Sequence, residues 1–199
     1  MIEKGSRIVI GGSAGSFNVV LNILSNLPKD YPFPVILVLH RLKHIKNSFV
    51  DAISLKTLLP VCEPYDKQSV TPGQIYIAPA NYHLYIEPDQ TFALSVEDPV
   101  NYSRPAIDIT FSSAGCVWQE KCVAVLLSGA NADGALGLKT VKSCGGTILV
   151  QSPQEAIVNV MPTAGIKEAK PEKIFTTPQI IDYLLQGAKP RDSINKKWK

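Results

Sequence analysis

Three residues of this chain have the side-chain types that acyl transfer requires, and each stands just after an apolar run: Ser13, His40 and Asp133. Ser13 lies in Gly11-Gly12-Ser13-Ala14-Gly15, which fits a Gly-x-Ser-x-Gly elbow whose glycines let a tight turn lift a serine hydroxyl clear of the backbone. His40 closes the run Val35-Ile36-Leu37-Val38-Leu39, and Asp133 sits in the small-residue stretch 128–134. A nucleophile, a base that takes its proton and a carboxylate that holds the base's tautomer are what such chemistry needs.

Each residue also has a plainer use. A glycine-rich turn between strand and helix can cradle a phosphate or simply pack closely, although Gly-x-Gly-x-x-Gly is absent and the second strand ends in His40, not an acid. His40 could end a strand without chemistry, or share a helical face with His44 as a metal pair. No Glu or Cys cluster completes a ligand set, so no metal is expected. Asp133, just before an apolar helical pattern, could cap that helix. Asp108 reads as a solvated or capping carboxylate, and His83 as structural or substrate-lining.

The elements that must position these groups follow from periodicity. Ile8-Val9-Ile10 is a buried β-branched run, followed by Val19, Val20, Ile23, Leu24 and Leu27 at helical spacing and then by the run that ends at His40. A right-handed strand–helix–strand crossover lays those strands parallel, with their carboxyl ends on one edge where α/β sheets place their sites. The run 122–127 delivers the Asp133 loop to the same edge. Short strands are expected at 74–78, 82–86 and 92–96, read as an antiparallel hairpin insertion, with a fourth core strand at 147–150 and a short one at Ile174-Phe175. Helices are expected over 47–59, from about 104, after 134 and from Thr177-Pro178.

With 199 residues and 45% hydrophobic content, the chain can bury one substantial core. Residues 187–199 hold five of the 20 basic residues and one of the 17 acidic, leaving the body near neutral and giving no support to nucleic-acid binding. Four cysteines without paired spacing read as reduced thiols, and no signal peptide or membrane-spanning run is visible, so a cytoplasmic location is expected.

Together these segments resemble the catalytic domain of the chemotaxis receptor methylesterase family, CheB. The resemblance rests on the glycine-flanked Ser13 turn, Leu39-His40, residues 72–79, Arg104-Pro105-Ala106-Ile107-Asp108, residues 127–134 and Met161-Pro162. It implies a doubly wound, mostly parallel α/β sheet with helices on both faces, spanning 1–186, before a basic mobile tail at 187–199. It also implies glutamate methyl ester hydrolysis, and glutamine deamidation, on the cytoplasmic domain of a methyl-accepting chemoreceptor, without a cofactor. By resemblance Ser13 is the nucleophile, His40 the base and Asp133 the third member, with backbone N–H groups near Ala14 and Ala130 as oxyanion donors. Two departures stand out: Ser16 and Asn131 occupy usual glycine positions, and the loop from Arg41 is unusually basic, fitting either receptor recognition or a solvated face. The first strand begins almost at Met1, so no phosphorylation switch is expected within this chain: the esterase is either constitutively active or restrained by a separate partner. The competing readings are a phosphate- or nucleotide-binding α/β module and a catalytically idle signalling relative.

Overall fold

The computed structural model describes residues 2–41 and 47–188. The expected strand–helix–strand unit is β1 (Arg7–Gly12), α1 (Phe17–Ser25) and β2 (Val35–Leu39). It is followed by α2 (Asn47–Ser54), the short strands β3 (Val61–Cys62) and β4 (Ile75–Ile77), and a hairpin of β5 (His83–Ile86) and β6 (Phe92–Ser95). The second half alternates α3 (Ile107–Trp118), β7 (Cys122–Leu126), α4 (Ala135–Ser143), β8 (Thr147–Gln151), α5 (Val160–Ala169), β9 (Ile174–Phe175) and α6 (Thr177–Gln186).

Seven strands form one parallel sheet in the order β3-β4-β2-β1-β7-β8-β9. β1 lies at its centre, with Ile10 beside Leu37 on one side and Val125 on the other. Alternation along the strands splits the core in two. Ile8, Ile10, Leu37 and Val125 pack under α1 and α6, whereas Val9, Ile36, Val38 and Leu126 pack under α3, α4 and α5. Both faces are thus covered, as continuous apolar strands demand.

The segment 74–78 departs from the expected insertion. Its core is β4, which pairs in parallel with Val35–Leu37 of β2, and only β5 and β6 form the antiparallel hairpin. Alternating Gln-Ile-Tyr-Ile-Ala suits either sheet, so local pattern could not choose between them. The helix expected over 47–59 ends at Ser54. α6 starts with a full capping box between Thr176 and Gln179, with Pro178 in its first turn. Gly187 packs against Ile2 and Phe33. The basic tail from 189 onward, His44 and the basic run after Arg41 lie outside the described residues. Arg41 itself is no solvated cation: its guanidinium is buried, pairs with Glu63, donates to the Ala78 carbonyl at 3.2 Å and lies over the Phe49 ring.

Candidate active site

Parallel register brings the serine and histidine together. Gly12 pairs with Leu39, and the His40 amide donates to the Gly12 carbonyl at 3.3 Å, so Ser13 and His40 leave adjacent strands at the same level. The Ser13 turn is closed locally and from below. Its amide donates to the Ser128 carbonyl at 2.9 Å, and its carbonyl accepts from the Ser16 amide at 3.0 Å and the Ser16 hydroxyl at 2.7 Å. Gly15 adopts φ +80°, and a Cβ there would lie 2.7 Å from Ile157, so the turn needs glycine on both counts. Ser16 has φ −82° and Asn131 is not left-handed, so neither usual glycine position demands glycine here.

Ser128 was not singled out in the sequence. Its hydroxyl lies 2.7 Å from the Ala14 carbonyl and 3.0 Å from the Val158 carbonyl, and it accepts from the Val158 amide at 2.9 Å. One buried hydroxyl thereby joins the loops that follow β1, β7 and β8. The available signal was a polar residue at the end of a buried strand, a place where an unpaired group is costly.

Asp133 is fully buried, and the His40 side chain is 14% exposed. The Asp133 Oδ2 atom lies 2.8 Å from His40 Nε2 and accepts from the Ile107 amide at 2.7 Å. Oδ1 accepts from the amides of Asp108 and Gly134, both at 3.0 Å, and from Asn101 Nδ2 at 3.1 Å. Burial pushes this carboxyl up, but the bonds from His40, Ile107, Asp108 and Asn101 together carry it below the usual carboxylate range. As an ionised acceptor it requires the proton of the facing ring nitrogen to sit on Nε2, which leaves Nδ1 as the basic nitrogen of a neutral ring. Because its native pKa is depressed, the stability Asp133 contributes is present above the ordinary carboxylate pKa and is lost as pH falls through the native value.

The helix that Asp133 caps is α3, not the α4 that follows it in sequence. Asp108, near the start of α3, accepts from the Gly137 amide at 2.7 Å and so caps α4. The two helices therefore cap each other. Gly137 permits this approach, because a Cβ there would meet the Asp108 backbone at 2.9 Å. Asp108 is buried, not solvated, and Asn101 Nδ2 bridges it at 2.8 Å to Asp133. Burial foremost, with the neighbouring Asp133 charge adding to it, raises the Asp108 carboxyl above its ordinary value. A raised acid destabilises the fold as pH rises from about 4 through its native pKa. The stability of Asp108→Asn relative to wild type should therefore grow as pH rises from about 4 to 7, in urea titrations at each pH; a flat difference would contradict it.

His83 is structural: fully buried, it accepts from the Ala106 amide on Nδ1 at 3.2 Å and faces the Asp98 carbonyl through Nε2 at 3.0 Å.

A tight turn supplies two residues that the sequence did not mark. Val100 and Ser103 exchange backbone hydrogen bonds, and the central residues Asn101 and Tyr102 are both left-handed, with φ 51° and 61°. Asn tolerates this and Tyr does not. Tyr102 is fully exposed, and at the turn's end Ser103 Oγ lies 3.3 Å from His40 Nδ1. Replacing Tyr102 with glycine should raise stability by about 0.5–1 kcal/mol, relief of strain exceeding the added entropy of the unfolded chain. An unchanged or lower unfolding midpoint would refute the strain.

Among the described residues the Ser13 hydroxyl makes no hydrogen bond, and no backbone hydrogen bond takes the amides of Ala14 or Ala130, both exposed. The structure thus joins His40 to Asp133, and Ser13 leaves the strand next to the one that ends at His40.

The class defined by this fold and edge is a doubly wound α/β domain with a histidine–carboxylate pair beside a glycine-flanked serine, in the chain order Ser, His, Asp. That order separates it from the Ser, Asp, His order of α/β-hydrolases. The chain belongs to the CheB methylesterase family, whose model matches residues 8–184. It is 36% identical over 179 residues to a Leptospira interrogans protein provisionally named protein-glutamate methylesterase/protein-glutamine glutaminase, covering 90% of this chain and 93% of that protein. A Thermotoga maritima protein named protein-glutamate methylesterase/protein-glutamine glutaminase is 32% identical over 186 residues, 92% of this chain and 54% of that protein, so this chain spans about half its length. The crystal structure of the Thermotoga maritima CheB methylesterase catalytic domain matches with a TM-score of 0.87 at 32% identity, over 92% of this chain and 98% of that one.

Proposed function

We propose that this chain is a serine-type protein-glutamate methylesterase that hydrolyses glutamate methyl esters, and deamidates glutamines, on the cytoplasmic domain of a bacterial chemoreceptor. The observation that carries the reading is the 2.8 Å His40–Asp133 pair beside Ser13, within a chain that matches the family over residues 8–184. Ser13 attacks the ester carbonyl while His40 takes its proton, then returns that proton to departing methanol. Water attacks the acyl-enzyme by the reverse route and regenerates Ser13. Asp133 keeps the Nε2 proton in place, so Nδ1 does the proton transfer. The amides of Ala14 and Ala130, free of backbone partners among the described residues, would hold the oxyanion, each such donor contributing on the order of 3 kcal/mol. Apart from substrate and water, every step uses groups of the chain itself. No described helix is long and apolar enough to cross a membrane.

The test is methanol release from a methylated receptor fragment, with Ser13→Ala as the decisive comparison. Absence of release by the wild-type chain, with no labelling of Ser13 by a fluorophosphonate, would overturn the reading.

A further inference from the structure

Two strongly exposed apolar side chains stand on the loops that hold the catalytic groups. Tyr102 is fully exposed between Asn101, whose side chain reaches Asp133, and Ser103, whose hydroxyl lies beside His40. Ile157 is 73% exposed and touches the Ser13 turn, where a Cβ on Gly15 would lie 2.7 Å from the Ile157 Cβ. Single exposed hydrophobics are ordinary, but one beside the base and one against the nucleophile turn make a pattern.

The ground between them is continuous and uncharged. Asn131 Nδ2 approaches the Asn101 carbonyl at 3.4 Å, which joins the loop 100–103 to the loop 129–132. Gly129 in turn donates to the Val158 carbonyl at 3.1 Å and accepts from the Met161 amide at 3.0 Å, and Ile157 closes the path to Gly15. Segments 13–16, 100–103, 129–132 and 156–161 contain no charged residue, and Ala14, Ala130 and Ala132 are exposed along them. A methyl ester or carboxamide is neutral and suits such a surface. An ionised glutamate would lose hydration there and gain no counter-charge from these loops.

From this placement, and resting on the methylesterase reading, we propose that Tyr102 and Ile157 are specificity-determining contacts that seat apolar side chains of the receptor flanking the neutral glutamyl ester or glutamine. The receptor has to reach Ser13, so its surface beside the ester covers these loops. Tyr102 offers a large rigid ring with little rotamer freedom to lose, the usual makeup of an interface anchor. Its backbone fits the same use. At φ 61° a tyrosine is strained where asparagine or glycine would rest easily, and the fold gains nothing from a fully exposed ring, so the strain serves a contact outside the chain. Both residues act on binding and neither takes part in proton transfer.

The test compares wild type with Tyr102→Asn, Tyr102→Phe and Ile157→Asn in the full chain. Methanol release is measured from methylated receptor fragment and from a small ester, N-acetylglutamate γ-methyl ester; affinity for the fragment is measured with the same changes combined with Ser13→Ala. Tyr102→Asn and Ile157→Asn should each raise KM for the fragment about tenfold at unchanged kcat, and weaken its binding to match. The ratio of kcat/KM on fragment to that on small ester should fall by the same factor, with an unfolding midpoint for Tyr102→Asn no lower than wild type. Tyr102→Phe, which keeps the ring, should stay within about twofold of wild type. Unchanged KM and affinity in both asparagine variants, or an equal loss on the small ester, would overturn the docking role. A loss in Tyr102→Phe as large as in Tyr102→Asn would overturn the apolar contact by assigning binding to the hydroxyl. A dimer in light scattering that Tyr102→Asn disperses would assign the patch to a second copy of the chain and overturn it too. Should wild type release no methanol and Ser13 resist fluorophosphonate, the methylesterase reading falls, and the fragment affinities alone decide the docking, which absence of binding would overturn.

Discussion

Ser13→Ala should lower kcat/KM for methanol release by about 10^4-fold or more while leaving the thermal midpoint within about one degree of wild type. The size follows from removing the attacking atom: no acyl-enzyme can form, and what remains is bound substrate, oriented water and the oxyanion donors. The unchanged stability follows from the turn's construction. Its hydrogen bonds use the Ser13 amide and carbonyl, the Ser16 amide and hydroxyl and the Ser128 carbonyl, and none uses the Ser13 hydroxyl. Alanine keeps all of them. Rates equal to wild type would remove Ser13 from the mechanism, and a large drop in the midpoint would show that the hydroxyl has a structural partner.

Asp133→Asn should be damaging twice over. Five donors converge on the two carboxylate oxygens: the His40 ring, the amides of Ile107, Asp108 and Gly134, and the Asn101 side chain. A carboxamide has one oxygen and one NH2 group, so whichever way it turns, its NH2 faces donors. At the Oδ2 position the NH2 faces only two donors, His40 and the Ile107 amide, against three at Oδ1, so it settles there: the ring must lose its Nε2–H contact or change tautomer, and kcat should fall about 10^3- to 10^4-fold. The same orientation leaves the buried Ile107 amide at the start of α3 without its partner, at a cost of roughly 2–3 kcal/mol. Both losses should appear together, in steady-state kinetics and in urea unfolding of the same preparation. Retained activity would show that the carboxylate does not orient His40, and retained stability would show that the interlocked caps contribute little.

That double dependence distinguishes this aspartate from an isolated catalytic group. The carboxylate facing the base also accepts from the first two amides of α3, and the carboxylate of Asp108 on α3 caps α4 in return. Any motion that separates the two helices therefore breaks hydrogen bonds to the carboxylate that faces His40. Such coupling makes the site rigid, and it explains why two buried carboxylates are tolerated side by side: each accepts several N–H bonds, and Asn101 donates to both.

The parts of this molecule legible from sequence are those governed by near neighbours. Ile8-Val9-Ile10, residues 35–39 and residues 122–126 are apolar in every position, which only a strand covered on both faces can accommodate, and the crossover rule then sends their carboxyl ends to a single edge. Chain order alone therefore assigns Ser13, His40 and the Asp133 loop to that edge. The capping box of α6 was equally local, since Thr176 and Gln179 are three residues apart. Tertiary structure decided what depended on segments remote in the chain. Residues 75–77 joined the main sheet because β2 offered a free edge, a fact absent from their own alternation. Asp133 capped the helix before it rather than the one after it, and Asp108 did the converse, because α3 and α4 start side by side. Ser103 met His40 across a separation of 63 residues through a turn whose two left-handed residues carry no glycine to announce it. Periodicity and propensity act over one or two turns of chain, whereas which nitrogen of an imidazole stays free depends on distances between atoms that only the closed fold brings together.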